Sequence, residues 1–215
     1  MSNNFARLSL FFNALVILII YEYKILKIGL TGGMGCGKST VEQLFAEAGW
    51  HTIRTDEIVR GMLAGDTQVH AALRERWGNV VFAADGAVDR KAIAALVFTE
   101  KAELSWLEDL LHPKVRQSWK LAIQQFPARN WLVEIPLLFE KRLETEFDLI
   151  VCVTSAPEIV ERRMVHRGYT QEEIEQRRNC QMPLEEKTQK ADCVISNAGS
   201  LEFLKLQTKR LIAQI

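Results

Sequence analysis

The sequence predicts an α/β fold: a doubly wound, five-stranded parallel sheet with a helical insert and a helical lid. Three observations carry this prediction. Short apolar runs alternate with stretches of helical periodicity along the chain. The first such run ends in a glycine-rich turn that opens a helix. The interval from about Glu57 to Gln125 is mostly helical and too long for one crossover, so it reads as an inserted subdomain. Right-handed crossovers between parallel strands then place helices on both faces of the sheet.

Each element has its own signal. Lys27 to Thr31 (KIGLT) is a buried strand, and Ser39 to Ala48 is an amphipathic helix closed by Gly49. His51 to Asp56 (HTIRTD) reads as a second strand. The insert contains VHAALRERWG, the Asp-capped DRKAIAALVF and a long segment through LSWLEDLLHPKVRQSWKLAIQQF, in which Pro113 predicts a break or a new helix start. Trp131 to Ile135 and Asp148 to Thr154 are two further buried strands. Pro157 opens PEIVERRMVHRG, and Thr170 caps TQEEIEQRRNCQM with the T-x-x-E of a capping box. Asp192 to Asn197 is the fifth strand, and a last helix runs from about Ser200 to Ile212. The expected layout is a core of 26–56, 127–156 and 191–215, an acceptor subdomain of about 57–126 and a lid of about 157–190.

Composition narrows the function classes. Lys plus Arg and Asp plus Glu both number 27, so the formal net charge is zero and a generally basic, nucleic-acid-coating surface is not expected. Cys36, Cys152, Cys180 and Cys193 form no C-x-x-C pair and no zinc-like arrangement with histidine, which fits reduced thiols in a cytoplasmic protein. The apolar run Leu8 to Tyr21 is short of the roughly 20 residues that span a bilayer, and no small-residue cleavage site follows it. No membrane association is expected. Residues 1–25 read as an extension of uncertain status: a peripheral anchor, a docked helix or strand, or a segment ahead of a translation start near Lys24 to Lys27.

The chemistry begins at Gly32, Gly33, Gly35, Cys36, Gly37, Lys38, Ser39 and Thr40, which fit G-x-x-x-x-G-K-[ST] between a strand and a helix. Glycines let successive N–H groups converge on phosphate oxygens, and the helix start adds its positive dipole end. Lys38 reaches the β- and γ-phosphates as a point charge, Ser39 offers a hydroxyl to Mg²⁺, and Thr40 serves the α-phosphate end. This is the motif of P-loop NTPase-type folds. No guanine-reading N-K-x-D segment is present, and the chain is too short for a motor or transport ATPase. A helical insert and an Arg-rich late helix point to a metabolite or nucleotide kinase. A non-catalytic nucleotide-binding regulator is the contrasting class.

Asp56 follows the second strand, where a carboxylate takes the proton of an attacking hydroxyl, holds a Mg²⁺ water, or merely caps EIVRGML. Arg60, one helical turn on, binds an anionic substrate or pairs with Asp56. Glu134 at the end of a buried strand suits substrate binding through Mg²⁺ or its waters, or is a solvated strand end, and His112 beside Pro113 is either structural or an acceptor contact. Arg163 and Arg167 share a helix face, and Arg177 and Arg178 follow on the next helix. Two such helices joined at Gly168 suit a lid that neutralises the transferring phosphoryl group and excludes water.

Taken in order, IGLTGGMGCGKST, TDEIVR, the VDR at Asp89, LLHP, EIPLLFE, RRMVHRG, NCQM and VISNAG resemble the dephospho-CoA kinase family over about Lys27 to the carboxyl terminus. The resemblance implies ATP-dependent phosphorylation of the ribose 3′-hydroxyl of dephospho-CoA by a cytoplasmic monomer or weak oligomer. It implies Asp56 as general base, Arg60 and His112 in acceptor binding, Arg163 and Arg167 as lid arginines, and Asn197 near the adenine end. Two departures stand out. Arg54 occupies a position where the family often has an acid, which leaves Asp56 to act alone. Cys36 stands where serine is common.

Overall fold

The computed structural model describes residues 25–215; the apolar run Leu8–Tyr21 lies outside the described residues. Among them are five strands in one sheet of order β2-β3-β1-β4-β5, all paired in parallel. The strands are β1 (Lys27–Gly32), β2 (His51–Arg54), β3 (Trp131–Glu134), β4 (Leu149–Thr154) and β5 (Cys193–Ser196). The runs of Val, Ile and Leu in β1, β3 and β4 are almost wholly buried, as strands covered on both faces must be. β1 is central, so the turn after it opens in the middle of the sheet's carboxyl edge, where β1 lies between β3 and β4. In open α/β sheets ligands sit beyond that edge.

The helices are α1 (Lys38–Glu47), α2 (Thr55–Gly65), α3 (Thr67–Trp77), α4 (Arg90–Thr99), α5 (Lys101–Gln125), α6 (Pro157–His166), α7 (Gln171–Asn179), α8 (Leu184–Lys190) and α9 (Leu201–Gln214). The residues of α2 to α5 build their own apolar cluster around Leu63, Val69, Leu73, Val81, Ile93, Val97, Leu107 and Leu111. A second cluster joins Val115 and Trp119 of α5 to Val133, Ile135, Leu138 and Ile150 on the sheet. A third binds β1 and β4 to Val41, Phe45, Met164, Ile174 and Leu204 of α1, α6, α7 and α9.

Two local expectations are corrected, and one helix is added. Pro113 does not break the chain: α5 is one helix of 25 residues with the proline inside it. A proline removes one i→i−4 hydrogen bond, but here packing holds both halves, Leu107 and Leu111 in one cluster and Val115 and Trp119 in the next. Strand β2 stops at Arg54, and Thr55 and Asp56 already belong to the first turn of α2. The stretch Leu184–Lys190 is a separate helix that packs on β1 and β4, although its charged sequence carries no apolar stripe. At the lid, Thr170 and Glu173 form the expected capping box, and Pro157 stands in the first turn of α6.

Candidate active site

The turn from β1 to α1 is held open by its glycines. Gly35 and Gly37 have φ of 73° and 96°, in the left-handed region. A Cβ on Gly37 would also collide with the side-chain amide of Asn197, which donates to the Cys36 carbonyl at 2.8 Å. Gly37 caps α1 without a side-chain bond, and no acidic residue stands in the helix's first turn. The first N–H groups of α1 and its positive dipole end are thereby left for an anion.

Lys38 folds back over this turn. Its Nζ donates to the carbonyls of Gly32 at 3.2 Å and Gly33 at 3.1 Å, and the residue is buried. Burial pushes its pKa below the usual lysine range, while the carboxylate of Glu134 and, more weakly, Cys36 and Asp56 pull it back up. Glu134 shows the converse. Burial raises its carboxyl, Lys38 lowers it, and Asp56 pushes it up again. Lys38, Glu134 and Asp56 thus face one another across the cleft.

That cleft has a volume of ≈ 550 Å³ and is lined by Gly35, Gly37, Lys38, Ser39, Arg54, Asp56, Arg60, Glu134, Arg167 and Arg177, among others. A second cavity of ≈ 720 Å³ is bounded by α5 and the turn after β3, with His112, Pro113, Trp119, Ile135 and Leu143 in its wall. Asp56, Pro136 and Leu137 belong to both linings, and Asp56 is the ionisable one of the three. A third, smaller space of ≈ 160 Å³ lies beside Gly37 and Thr40, against Arg163, Arg167, Asn197 and Gly199.

The structure therefore gathers most of the expected residues but divides them. Ser39 is exposed in the cleft, and Arg60 shares that cleft with Asp56, with no ion pair between the two among the described residues. His112 lies in the second cavity, away from the glycine-rich turn. Burial first, and then the Lys141 ammonium, holds its pKa below the ordinary value, against the opposing pull of Glu108 and Asp109. Arg167 lines both the cleft and the small space. Arg163 turns beneath the loop. It donates to the Gly35 carbonyl at 3.2 Å and to the backbone and side-chain oxygens of Asn197 at 3.4 and 3.3 Å. Asn197 is buried, with its amide committed to Cys36 and Arg163. These two residues brace the loop from the side of the small space.

Other contacts of the site escape a reading of the sequence. Arg54 binds the buried Glu42 through Nε at 2.9 Å and Nη2 at 2.5 Å, reaches Glu57 at 2.9 Å, and lies 3.9 Å from Glu134. Thr52 donates to the other Glu42 oxygen. The guanidinium of Arg177 stacks on Phe98 of the insert at 4.5 Å and on Tyr169 of the lid at 5.1 Å, and so ties the two together over the cleft. The buried Lys187 pairs with the partly buried Glu140 behind the turn after β3. Sequence separation hides the first network. The last pair sits in a charge run that reads as a solvated face.

The donor set suits Mg²⁺ held together with substrate phosphates. Ser39, Asp56 and Glu134 share the cleft, yet no group of three or more His, Cys, Asp or Glu residues forms a metal cage among the described residues. Mg²⁺ is usually bound in this way, by one or two protein groups plus phosphate oxygens and waters.

Comparison with known proteins agrees with this geometry. A family model described as dephospho-CoA kinase matches residues 26–202. A dephospho-CoA kinase of Corynebacterium glutamicum is 36% identical over 194 residues, covering 88% of this chain and 100% of that protein. One from Aquifex aeolicus is 32% identical over 190 residues, covering 88% and 97%. A crystal structure from Thermus thermophilus superposes with a TM-score of 0.75 at 34% identity, over 89% of this chain and 98% of that one.

Proposed function

The chain belongs to the dephospho-CoA kinase family, whose members use ATP to convert dephospho-CoA to coenzyme A, and from that premise we propose how its residues share the work. The observation that carries the proposal is the position of Asp56 on both the phosphate cleft and the large, mostly apolar cavity. A hydroxyl seated from the cavity meets a phosphate seated from the cleft at that carboxylate.

In this reading the triphosphate lies on Gly32, Gly33, Gly35, Cys36, Gly37, Lys38, Ser39 and Thr40, with the adenine in the small space beside Asn197. Arg163 holds the loop in shape and Arg167 lies over the phosphates. The acceptor occupies the cavity beside His112 and reaches the cleft past Arg60, with its ribose 3′-hydroxyl at Asp56. Asp56 takes the hydroxyl proton, and Lys38 and Arg167 meet the charge that develops on the transferred group. Ser39, with Glu134 or Asp56 through water, would hold Mg²⁺, which supplies charge neutralisation on the phosphates. Closure of α6 and α7 excludes water and so favours transfer over hydrolysis. No helix among the described residues is long and apolar enough to cross a membrane, and we place the reaction in the cytoplasm.

The test is an ADP-release assay of the parent and Asp56→Asn with dephospho-CoA, pantothenate, shikimate, AMP and CMP. Turnover is expected with dephospho-CoA. The variant is expected to keep its affinity for ATP and to lose about 10²- to 10⁴-fold in kcat. Near-parental turnover in Asp56→Asn would remove it from the general-base role. ATP binding without turnover on any acceptor would favour a nucleotide-binding regulator.

A further inference from the structure

We propose that the pair of buried Lys187 and partly buried Glu140 is a positioning device for phosphoryl transfer, fixing the wall shared by the two cavities to the segment between α7 and α8. The proposal rests on the assignment of those cavities to acceptor and phosphate given above.

Lys187 is completely buried. Its Nζ donates to the Pro136 carbonyl at 2.6 Å and forms an ion pair with Glu140 Oε1 at 2.8 Å. The same Oε1 accepts the backbone N–H of Met182 at 2.7 Å, between α7 and α8. The Pro136 carbonyl also accepts the hydroxyl of Thr31 on β1, at 3.2 Å. Two oxygens thus join β1, the turn after β3, the segment between α7 and α8, and α8 itself. Pro136 and Leu137 of that turn line both the cleft and the large cavity.

Stability alone is a poor account of this arrangement. A buried ion pair loses solvation that apolar residues of similar volume would not, and exchanging such a pair for them is often neutral or stabilising. Glu140 Oε2 is moreover buried with no hydrogen-bond partner among the described residues, a further cost. What the pair supplies is direction: charge-assisted bonds that hold Pro136 and Met182 at fixed distances. If that wall shifts, the acceptor hydroxyl leaves Asp56, and a displacement of about 1 Å costs on the order of 10²-fold in rate.

The test uses the full-length enzyme with Lys187→Met, Lys187→Met/Glu140→Leu and Glu140→Gln. Lys187→Met leaves the partly buried Glu140 carboxylate, with its Oε2 out of solvent, unpaired and is expected to be unstable. The double variant removes both charges and is expected to recover the parental Tm. Its kcat should nonetheless remain on the order of 10²-fold low, with KM for ATP within about threefold of the parent. In Glu140→Gln the amide oxygen still accepts from Lys187 and Met182, so kcat should stay within about tenfold of the parent. A folded double variant with parental kcat, or a Glu140→Gln as impaired as the double, overturns the proposal. Hydrogen exchange of the parent gives an arm that needs no variant. Addition of dephospho-CoA should slow exchange in 136–140 and around Met182 together; protection of the first without the second also overturns it. Parental turnover on dephospho-CoA separates this outcome from failure of the functional reading itself.

Discussion

Lys38 is a cation that folding buries before any phosphate arrives. Burial depresses its pKa, and the nearby Glu134 carboxyl is raised for the same reason, so each charge stands in the apo protein at a cost. In the proposed reading, a bound triphosphate adds counter-charge to that of Glu134 and Asp56. Lys38→Met should therefore change the apo Tm little or raise it, while abolishing most of the ATP-induced rise. In the parent that rise corresponds to about 2.7 kcal/mol at a hundredfold excess of ligand over Kd. A scan with and without Mg·ATP measures both, and an undiminished ATP effect in the variant would count against the assignment. His112 gives a pH signature. Its pKa is held below the ordinary 6.5 in the folded state, chiefly by burial. Between that depressed value and 6.5 the unfolded chain binds more protons than the folded one. Stability contributed by the neutral imidazole is thus present above pH 6.5 and is lost as pH falls through the folded pKa. Thermal scans across this range should show a shallower pH dependence in His112→Gln than in the parent. Equal slopes would mean that the imidazole is not held neutral by its surroundings.

At the scale of elements, α5 is the informative one. Its amino-terminal half belongs to the core of the insert and its carboxyl-terminal half to the sheet, with Pro113 between them. The proline rule is local and cannot register that both halves are held by distant partners, which is why the sequence predicts a break where there is none. An alanine at 113 restores the donor for the Asp109 carbonyl. Pro113→Ala should raise the urea midpoint by the equivalent of about 1–3 kcal/mol, the reverse of the usual cost of an interior proline. A lowered midpoint would show that the ring's packing against the cavity outweighs the missing bond. Helix α8 was illegible for a different reason: its fully buried residue is Lys187, and no apolar periodicity announces a buried lysine. Strands β1, β3 and β4 were legible because burial on both faces leaves little but apolar residues in them. The glycine-rich turn was legible because all its chemistry lies in one short run. The Glu42–Arg54–Glu134 network was not, because its members come from three elements that only the sheet order brings side by side.

At the scale of the molecule, the insert, the sheet and the lid meet over one cleft, and Arg177, stacked between Phe98 and Tyr169, spans the first and the last. The central place of β1 has a further consequence, for the newly made chain. β1 and its phosphate turn precede the insert in the sequence, yet both strands that flank β1 follow it. The Leu26 N–H is bonded to a side chain 104 residues later, and the Lys27 N–H to one 121 residues later. Synthesis at about 5–20 residues per second makes β1 wait on the order of ten seconds for its neighbours. The insert's own cluster draws on a nearer stretch, from Leu63 to Leu111, and can close in that interval. The glycine-rich turn is thus among the earlier parts of the described chain to be made and among the last to take shape. Until then its apolar strand lacks the two neighbours that pair with it.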